Sequence, residues 1–200
     1  LGETPLKVVP NLEKVAIDYY TRGAYDDFWA QEANDFTRQW DRHADIPATI
    51  SSGWFDPYAI AAVNYFAQMV GQNSSRQRLI MGPWTHEGMR GGKSFTLDVD
   101  FGPDAAWGIN IYNEERRRWF YRWLYEDHDN DGNEPPVRIF VMGGGSGHKT
   151  DQGKLDHGGC WRMESEWPLA RAEITPYYLG VSESLQPLPG NHIGHESFVF

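Results

Sequence analysis

Two short apolar runs with a helix-length segment between them most constrain the fold of this chain. Residues 48–52 and residues 78–81 are each short, partly β-branched and closed by a glycine, Gly53 and Gly82. The intervening residues 59–70 are rich in helix formers. Two such runs joined by a helix of about a dozen residues predict a parallel crossover unit. We therefore expect the first two-thirds of the chain to form one edge of an open α/β sheet.

The composition changes after residue 127, which predicts a second unit. Residues 128–136 hold the asparagine, aspartate, glycine and proline that are typical of turns and linkers. Short apolar runs follow at 137–141, 160–163 and 175–179, with glycine and proline between them and no helical periodicity. This pattern favours a β-sandwich or jelly roll that begins near residue 135.

The N-terminal residues carry a weaker pattern. Pro5 and Pro10 are expected to break any early helix, because proline disrupts helix interiors. Between residues 25 and 40, acidic and aromatic residues recur at spacings of three and four, which predicts a short amphipathic helix pair.

The charge balance argues against several classes of partner. The 200 residues hold 18 Lys and Arg against 28 Asp and Glu, a net charge of −10. Such a chain is a poor ligand for polyanions, so we expect it to bind neither nucleic acid nor a membrane. Its apolar stretches are also far shorter than the ~20 residues that span a bilayer. With one cysteine, Cys160, and no visible signal peptide, we expect a cytoplasmic location.

No pattern in the sequence predicts a metal site. Residues 127–132 resemble the start of a calcium loop, but the twelfth position holds Arg138 where such a loop needs a bidentate glutamate. His192 and His195 stand three apart, with no further ligand at metal spacing except Glu196, which argues against zinc. We interpret residues 127–132 as a solvated linker.

Asp56 and His86 are the candidate acid–base pair. Each follows one of the two expected parallel strands, and ligands bind at the carboxyl ends of the strands in open α/β sheets. Because adjacent strands lie about 4.8 Å apart, the carboxylate and the imidazole can meet. The carboxylate would then fix the imidazole tautomer and stabilise the imidazolium. In the alternative interpretation, Asp56 caps the helix at Pro57 and His86 lies on a solvated loop.

Seven blocks of sequence, spread over roughly residues 23–180, carry a family resemblance. The blocks are YDDFW at 25–29, DIP at 45–47 with GWFDPY at 53–58, RLIMGPWTH at 78–86, DFGP at 100–103, RWFYRWL at 118–124, EPPVRIFVMG at 134–143 and EWP at 166–168. With these blocks in this order, the chain resembles the cocaine esterase and X-Pro dipeptidyl-peptidase family of serine hydrolases.

The resemblance implies a three-part α/β enzyme. Residues 1–44 would be the end of a helical cap. Residues 45–134 would be the C-terminal part of an α/β-hydrolase domain, at the edge of its parallel sheet. Residues 135–200 would begin an all-β jelly-roll domain of the galactose-binding-like type.

The resemblance also implies roles for individual residues. Carried over by position, Asp56 is the triad acid and His86 the triad base, and Tyr58 and Trp54 would face the substrate pocket. The alternative for the two aromatic residues is packing beside a strand end. The family places its nucleophilic serine in a Gly-x-Ser-x-Gly elbow upstream of the acid, and no such elbow occurs in these 200 residues. We therefore expect the chain to be a fragment, inactive alone.

The leading hypothesis is part of a serine hydrolase that cleaves ester or amide bonds, in acyl esters or X-Pro peptides, without a metal or organic cofactor. Its partners would be a small-molecule or peptide substrate and an N-terminal part of the same protein that carries the serine; association into a homo-oligomer is left open. A second hypothesis is a non-catalytic jelly-roll module that binds carbohydrate or a protein, with Trp161 and Trp167 as its platform. A third is a half-enzyme completed by a separate chain.

Overall fold

A four-stranded sheet lies at the centre of the computed structural model, which describes residues 2–125, 134–180 and 184–187. The strands, numbered in chain order, are β1 Ala48–Gly53, β2 Gln77–Gly82, β3 Phe95–Thr96, β4 Val99–Asp100, β5 Val137–Met142, β6 Leu155–Asp156, β7 Gly159–Glu164, β8 Tyr178–Gly180 and β9 Ser184–Gln186. The helices are α1 Pro10–Thr21, α2 Ala59–Gln72, α3 Gly88–Gly91 and α4 Gly108–Leu124, with 3-10 helices at Pro5–Val8, Phe36–Arg42 and Pro103–Ala105. The central sheet has the order β1-β2-β5-β7, while β3-β4-β6 and β8-β9 form two smaller sheets.

The predicted crossover unit is confirmed. β1 and β2 pair in parallel along their whole length, from Ala48 beside Gln77 to Gly53 beside Gly82, and α2 connects them. This register brings the ends of both strands to the same edge of the sheet, so the loops that follow them are neighbours.

Side chains of β2 alternate between two apolar layers. Leu79 and Met81 pack against Phe66 of α2 on one face of the sheet. Ile80 points to the other face and packs against Trp84 and Trp107. Both faces of β2 are therefore covered, as is usual for a strand in a parallel sheet.

The sheet continues past residue 135, where we expected a separate all-β unit to begin. β5 pairs in parallel with β2, with Leu79 beside Val137, and β7 pairs with β5 in the antiparallel direction. The reason is that Val137, Ile139 and Phe140 are all buried, so β5 is covered on both faces like β2. This corrects the expectation for β5 and β7, which belong to the α/β sheet. A jelly roll beyond them stays a prediction.

The N-terminal segment differs from expectation in two ways. The prediction that Pro10 prevents a helix was wrong: α1 begins at Pro10, where the missing N–H of proline costs no hydrogen bond. The helix pair expected between residues 25 and 40 is instead a series of turns followed by the 3-10 helix Phe36–Arg42. Within the described residues, no helix is both long and apolar enough to cross a membrane.

Candidate active site

Main-chain pairing of β1 and β2 continues into the loops that follow them. Trp54 N–H donates to the Gly82 carbonyl at 2.8 Å, and Phe55 N–H donates to the Trp84 carbonyl at 3.1 Å. The approach is so close that a Cβ on Gly53 would lie 1.9 Å from the Trp84 carbonyl oxygen. Hydrogen bonds and a glycine contact therefore hold the two loops together before the side chains of the site are considered.

The loop that follows β2 is also held by hydrogen bonds to later segments of the chain. Trp84 is 2% exposed, and its indole N–H donates to the Ala105 carbonyl at 2.7 Å. The Thr96 hydroxyl donates to the Pro83 carbonyl, also at 2.7 Å. These bonds fix the backbone two residues before His86.

Asp56 and His86 meet at the ends of these loops. The Asp56 Oδ2 atom lies 3.1 Å from His86 Nδ1, which is within hydrogen-bond distance. Because a carboxylate oxygen only accepts, Nδ1 carries the proton and Nε2 is the basic nitrogen of the neutral ring. The Asp56 side chain is 6% exposed and that of His86 is 60% exposed. A shielded carboxylate thus orients an imidazole that solvent and ligands can reach.

The capping alternative for Asp56 holds only in part. Its second oxygen, Oδ1, accepts the Tyr58 N–H at 2.9 Å, one residue before α2 begins. Both carboxylate oxygens are therefore engaged at once, one by the turn and one by the imidazole. His86 is not an isolated loop residue.

An apolar cavity of about 490 Å³ opens beside the pair, with Asp56 and His86 in its lining. Four aromatic rings line it: Phe36, Trp40, Tyr58 and Tyr65. The ring of Tyr58 lies 5.3 Å from the His86 ring, and its place in the substrate pocket stays a prediction. Sequence reasoning missed the other three, although the four-residue spacing of Phe36 and Trp40 was a signal.

Trp54 lies elsewhere, which corrects its predicted place in the pocket. Its indole N–H donates to the Phe140 carbonyl at 2.9 Å, and its ring packs 5.8 Å from that of Trp167. Among the described residues, it lines neither cavity beside the pair. The packing alternative therefore describes Trp54, because its polar atom and its ring are both used inside the fold.

A smaller, mainly polar cleft of about 160 Å³ also borders Asp56 and His86. Ser52, Thr85 and Arg90 contribute to its lining. Asp56, His86 and the serines at the end of β1 line both cavities, so the two spaces adjoin at the pair.

The packing of Trp161 and Trp167 does not support the hypothesis that these two residues form a platform for carbohydrate. Trp161 packs 5.3 Å from Phe140 and 5.2 Å from Trp107, and its indole N–H donates to the Asp104 carbonyl. Trp167 packs on Trp54, as described above. Both indoles are half-buried and pack against core residues.

No cluster of metal-ligating side chains occurs in the described ranges. The calcium-like segment at 127–132 and the pair His192 and His195 lie outside the described residues. Arg138, which would be the twelfth position of the calcium loop, is described and is part of β5.

Comparisons with known proteins agree with this architecture. Residues 2–88 match the family described as X-Pro dipeptidyl-peptidase (S15 family). The chain is 32% identical over 136 residues to the cocaine esterase of Rhodococcus sp. (strain MB1 Bresler), a match that covers 68% of this chain and 20% of that protein. The chain thus spans about a fifth of the length of this relative.

A solved structure shares the fold. The crystal structure of an aminopeptidase from the marine sediment archaeon Thaumarchaeota archaeon matches with a TM-score of 0.60 and 17% identity, over 90% of this chain and 26% of that one. At this identity the likeness shows the fold alone.

Proposed function

Because the chain belongs to the X-Pro dipeptidyl-peptidase (S15) family, we propose that it is part of a serine hydrolase that cleaves an ester or amide bond. The observation that carries the proposal is the 3.1 Å approach of Asp56 Oδ2 to His86 Nδ1 at the edge of an open cavity. The nucleophilic serine is proposed to come from an N-terminal part of the same protein, since these residues contain no Gly-x-Ser-x-Gly elbow.

In the proposed first step, His86 Nε2 takes the proton of the serine hydroxyl while its oxygen bonds to the substrate carbonyl carbon. The bond from that carbon to the leaving group then breaks, and the imidazolium gives its proton to the leaving nitrogen or oxygen. In the second half, water attacks the acyl-serine, His86 takes the proton of the water and returns it to the serine, and the carboxylic acid leaves.

Asp56 would stay ionised throughout. It accepts the Nδ1–H bond, which keeps Nε2 basic, and it stabilises the imidazolium after proton transfer. Tyr58 would contact whichever group fills the apolar cavity, since its ring lines that cavity and lies 5.3 Å from the imidazole ring. The lining supports an uncharged, apolar substrate group on this side.

The test is turnover of a p-nitrophenyl ester by the whole protein that contains this chain. His86→Ala is expected to lower kcat by about 10⁴-fold to 10⁶-fold and Asp56→Asn by about 10⁴-fold. His148→Ala, a change of an exposed histidine in the β5–β7 connection, is the matched control and should leave kcat unaltered.

A second readout isolates the nucleophile. A fluorophosphonate probe is expected to label the wild-type protein and not the His86→Ala variant, because an unactivated serine reacts slowly. Equal labelling of both proteins would remove His86 from the proposed role. The 200-residue chain alone should show no turnover above its own His86→Ala variant.

A further inference from the structure

The polar cleft beside His86 contains a cation with unused donors. Arg90 Nη2 contacts both oxygens of Glu87, at 2.8 and 3.0 Å. Both side chains of this pair are exposed, 50% for Arg90 and 69% for Glu87, so the pairing is weak. Arg90 Nη1 and Nε make no hydrogen bond to the described residues. The guanidinium also lies 5.7 Å from the centre of the Tyr112 ring, which lines the same cleft.

A buried hydroxyl lines the cleft as well. Ser52 is 8% exposed, and its Oγ has no hydrogen-bond partner among the described residues. A buried hydroxyl without a partner is unfavourable, so an oxygen atom of a ligand at this position would satisfy it.

Within the lining of the cleft, Arg90 is the group that an anion can bind, because its pairing with Glu87 is exposed and uses one nitrogen. Asp56 is the one carboxylate that lines the cleft among the described residues, and both of its oxygens are already engaged. Arg90 repels a cationic group, while it offers an anion two free donor positions. A volume of about 160 Å³ is small, so the anionic group must be compact.

We propose that this cleft binds the carboxylate on the leaving-group side of the substrate. With an acyl group in the apolar cavity, which His86 also lines, the substrate class becomes N-acyl amino acids and acyl esters of hydroxy acids. Hydrolysis then breaks the bond from the acyl carbon to the amino nitrogen or alkoxy oxygen, adds the hydroxyl of water to that carbon and gives the hydrogen of water to the departing nitrogen or oxygen. The inference rests on the proposed function, because it uses His86 as the point between the two cavities.

The experiment compares two ligands that differ only in the charged group. Hippurate carries an apolar benzoyl group and a carboxylate, and hippuramide replaces the carboxylate by a neutral amide. Binding to the 200-residue chain is measured by NMR titration of the histidine ring resonances. We expect hippurate to bind about fivefold or more tightly than hippuramide, because a charge-assisted hydrogen bond is stronger than a neutral one.

Variants assign the preference to the cleft. Arg90→Gln should abolish the preference for hippurate, whereas Arg116→Gln should keep it, since Arg116 also stacks on Tyr112 but does not line the cleft. Ser52→Ala should weaken hippurate binding about threefold. Thermal unfolding of each variant checks that the fold is retained.

Two results would overturn the inference. Equal binding of hippurate and hippuramide by the wild-type chain would remove the carboxylate site, while the turnover test of His86→Ala would still decide the proposed function separately. A preference for hippurate that survives in Arg90→Gln would place the anion elsewhere.

Discussion

Replacing Gly53 by alanine tests whether the contact between the two loops positions Asp56 against His86. The added Cβ would lie 1.9 Å from the Trp84 carbonyl oxygen and 2.5 Å from its carbon. Ordinary contact requires about 1.5 Å more separation. Trp84 cannot move aside easily, because its side chain is buried and its indole is hydrogen-bonded to Ala105. The loops must therefore separate.

Separation of the loops has a calculable cost. It breaks the Phe55 N–H bond to Trp84 and strains the Trp54 N–H bond to Gly82. Each bond contributes about 1 kcal/mol, and overpacking of a tight site costs about 1–3 kcal/mol. We expect Gly53→Ala to lower the free energy of unfolding by about 2–5 kcal/mol. Under the proposed function, misplacement of the pair by about 1 Å should lower kcat of the whole protein by about 10²-fold.

Urea unfolding of the 200-residue chain, followed by tryptophan fluorescence, measures the first effect. Gly71→Ala is the matched control: Gly71 lies in α2, and a Cβ there meets nothing within 4 Å. That variant should be more stable than wild type by about 0.5–1 kcal/mol, because alanine suits a helix better than glycine. If Gly53→Ala unfolded within about 0.5 kcal/mol of wild type, the rigidity assigned to this contact would be refuted.

Two further changes probe the scaffold. Leu79→Ala should lower the free energy of unfolding by about 2–5 kcal/mol, because it opens a cavity in a fully buried layer. Leu124→Ala, at an exposed position, should change it by less than about 0.5 kcal/mol. Equal effects of the two changes in denaturant titrations would contradict the assigned core. Hydrogen bonds from Ser74 and Ser75 lower the pKa of Asp45. Its carboxylate therefore stabilises the folded chain at pH values above the ordinary Asp pKa of about 4, and this stabilisation is lost as the pH falls below that value. The stability deficit of Asp45→Asn should therefore be present at pH 7 and shrink below about pH 4, and a deficit independent of pH would speak against this role.

The parts of the fold that could be predicted from the sequence are those written in local patterns. Two strands that end in glycine, with a helix between them, specify a parallel pair whatever lies elsewhere in the chain. The position of Asp56 and His86 just after those strands then follows from strand geometry. The meeting of the pair was therefore accessible from the sequence, while its role needs a reaction to be measured.

The parts that could not be predicted depend on contacts between distant segments. The apolar run of β5 suits a buried parallel strand and a sandwich strand equally well, and only its pairing with β2, more than fifty residues earlier, distinguishes them. The aromatic cavity has the same origin, because Phe36 and Trp40 meet Tyr65 through the packing of a 3-10 helix against α2. Pro10 was misjudged for a local reason: whether a proline begins or breaks a helix depends on the residue at which the helix starts.

The residues that decide the geometry of the pair are its neighbours in the backbone. Gly53 and Gly82 both face Trp84, since a Cβ on Gly82 would lie 2.4 Å from the Trp84 ring. One buried tryptophan therefore sets the separation of both strand ends, and the side chains of Asp56 and His86 follow from it. A smaller residue in place of Trp84 would relieve the contact at Gly82 only, because Gly53 meets the main chain of Trp84. It would also remove the bond to Ala105 that anchors the loop, so it should loosen the pair even though it creates space. We therefore expect close packing at the strand ends, rather than the attraction between carboxylate and imidazole, to hold the two groups at hydrogen-bond distance.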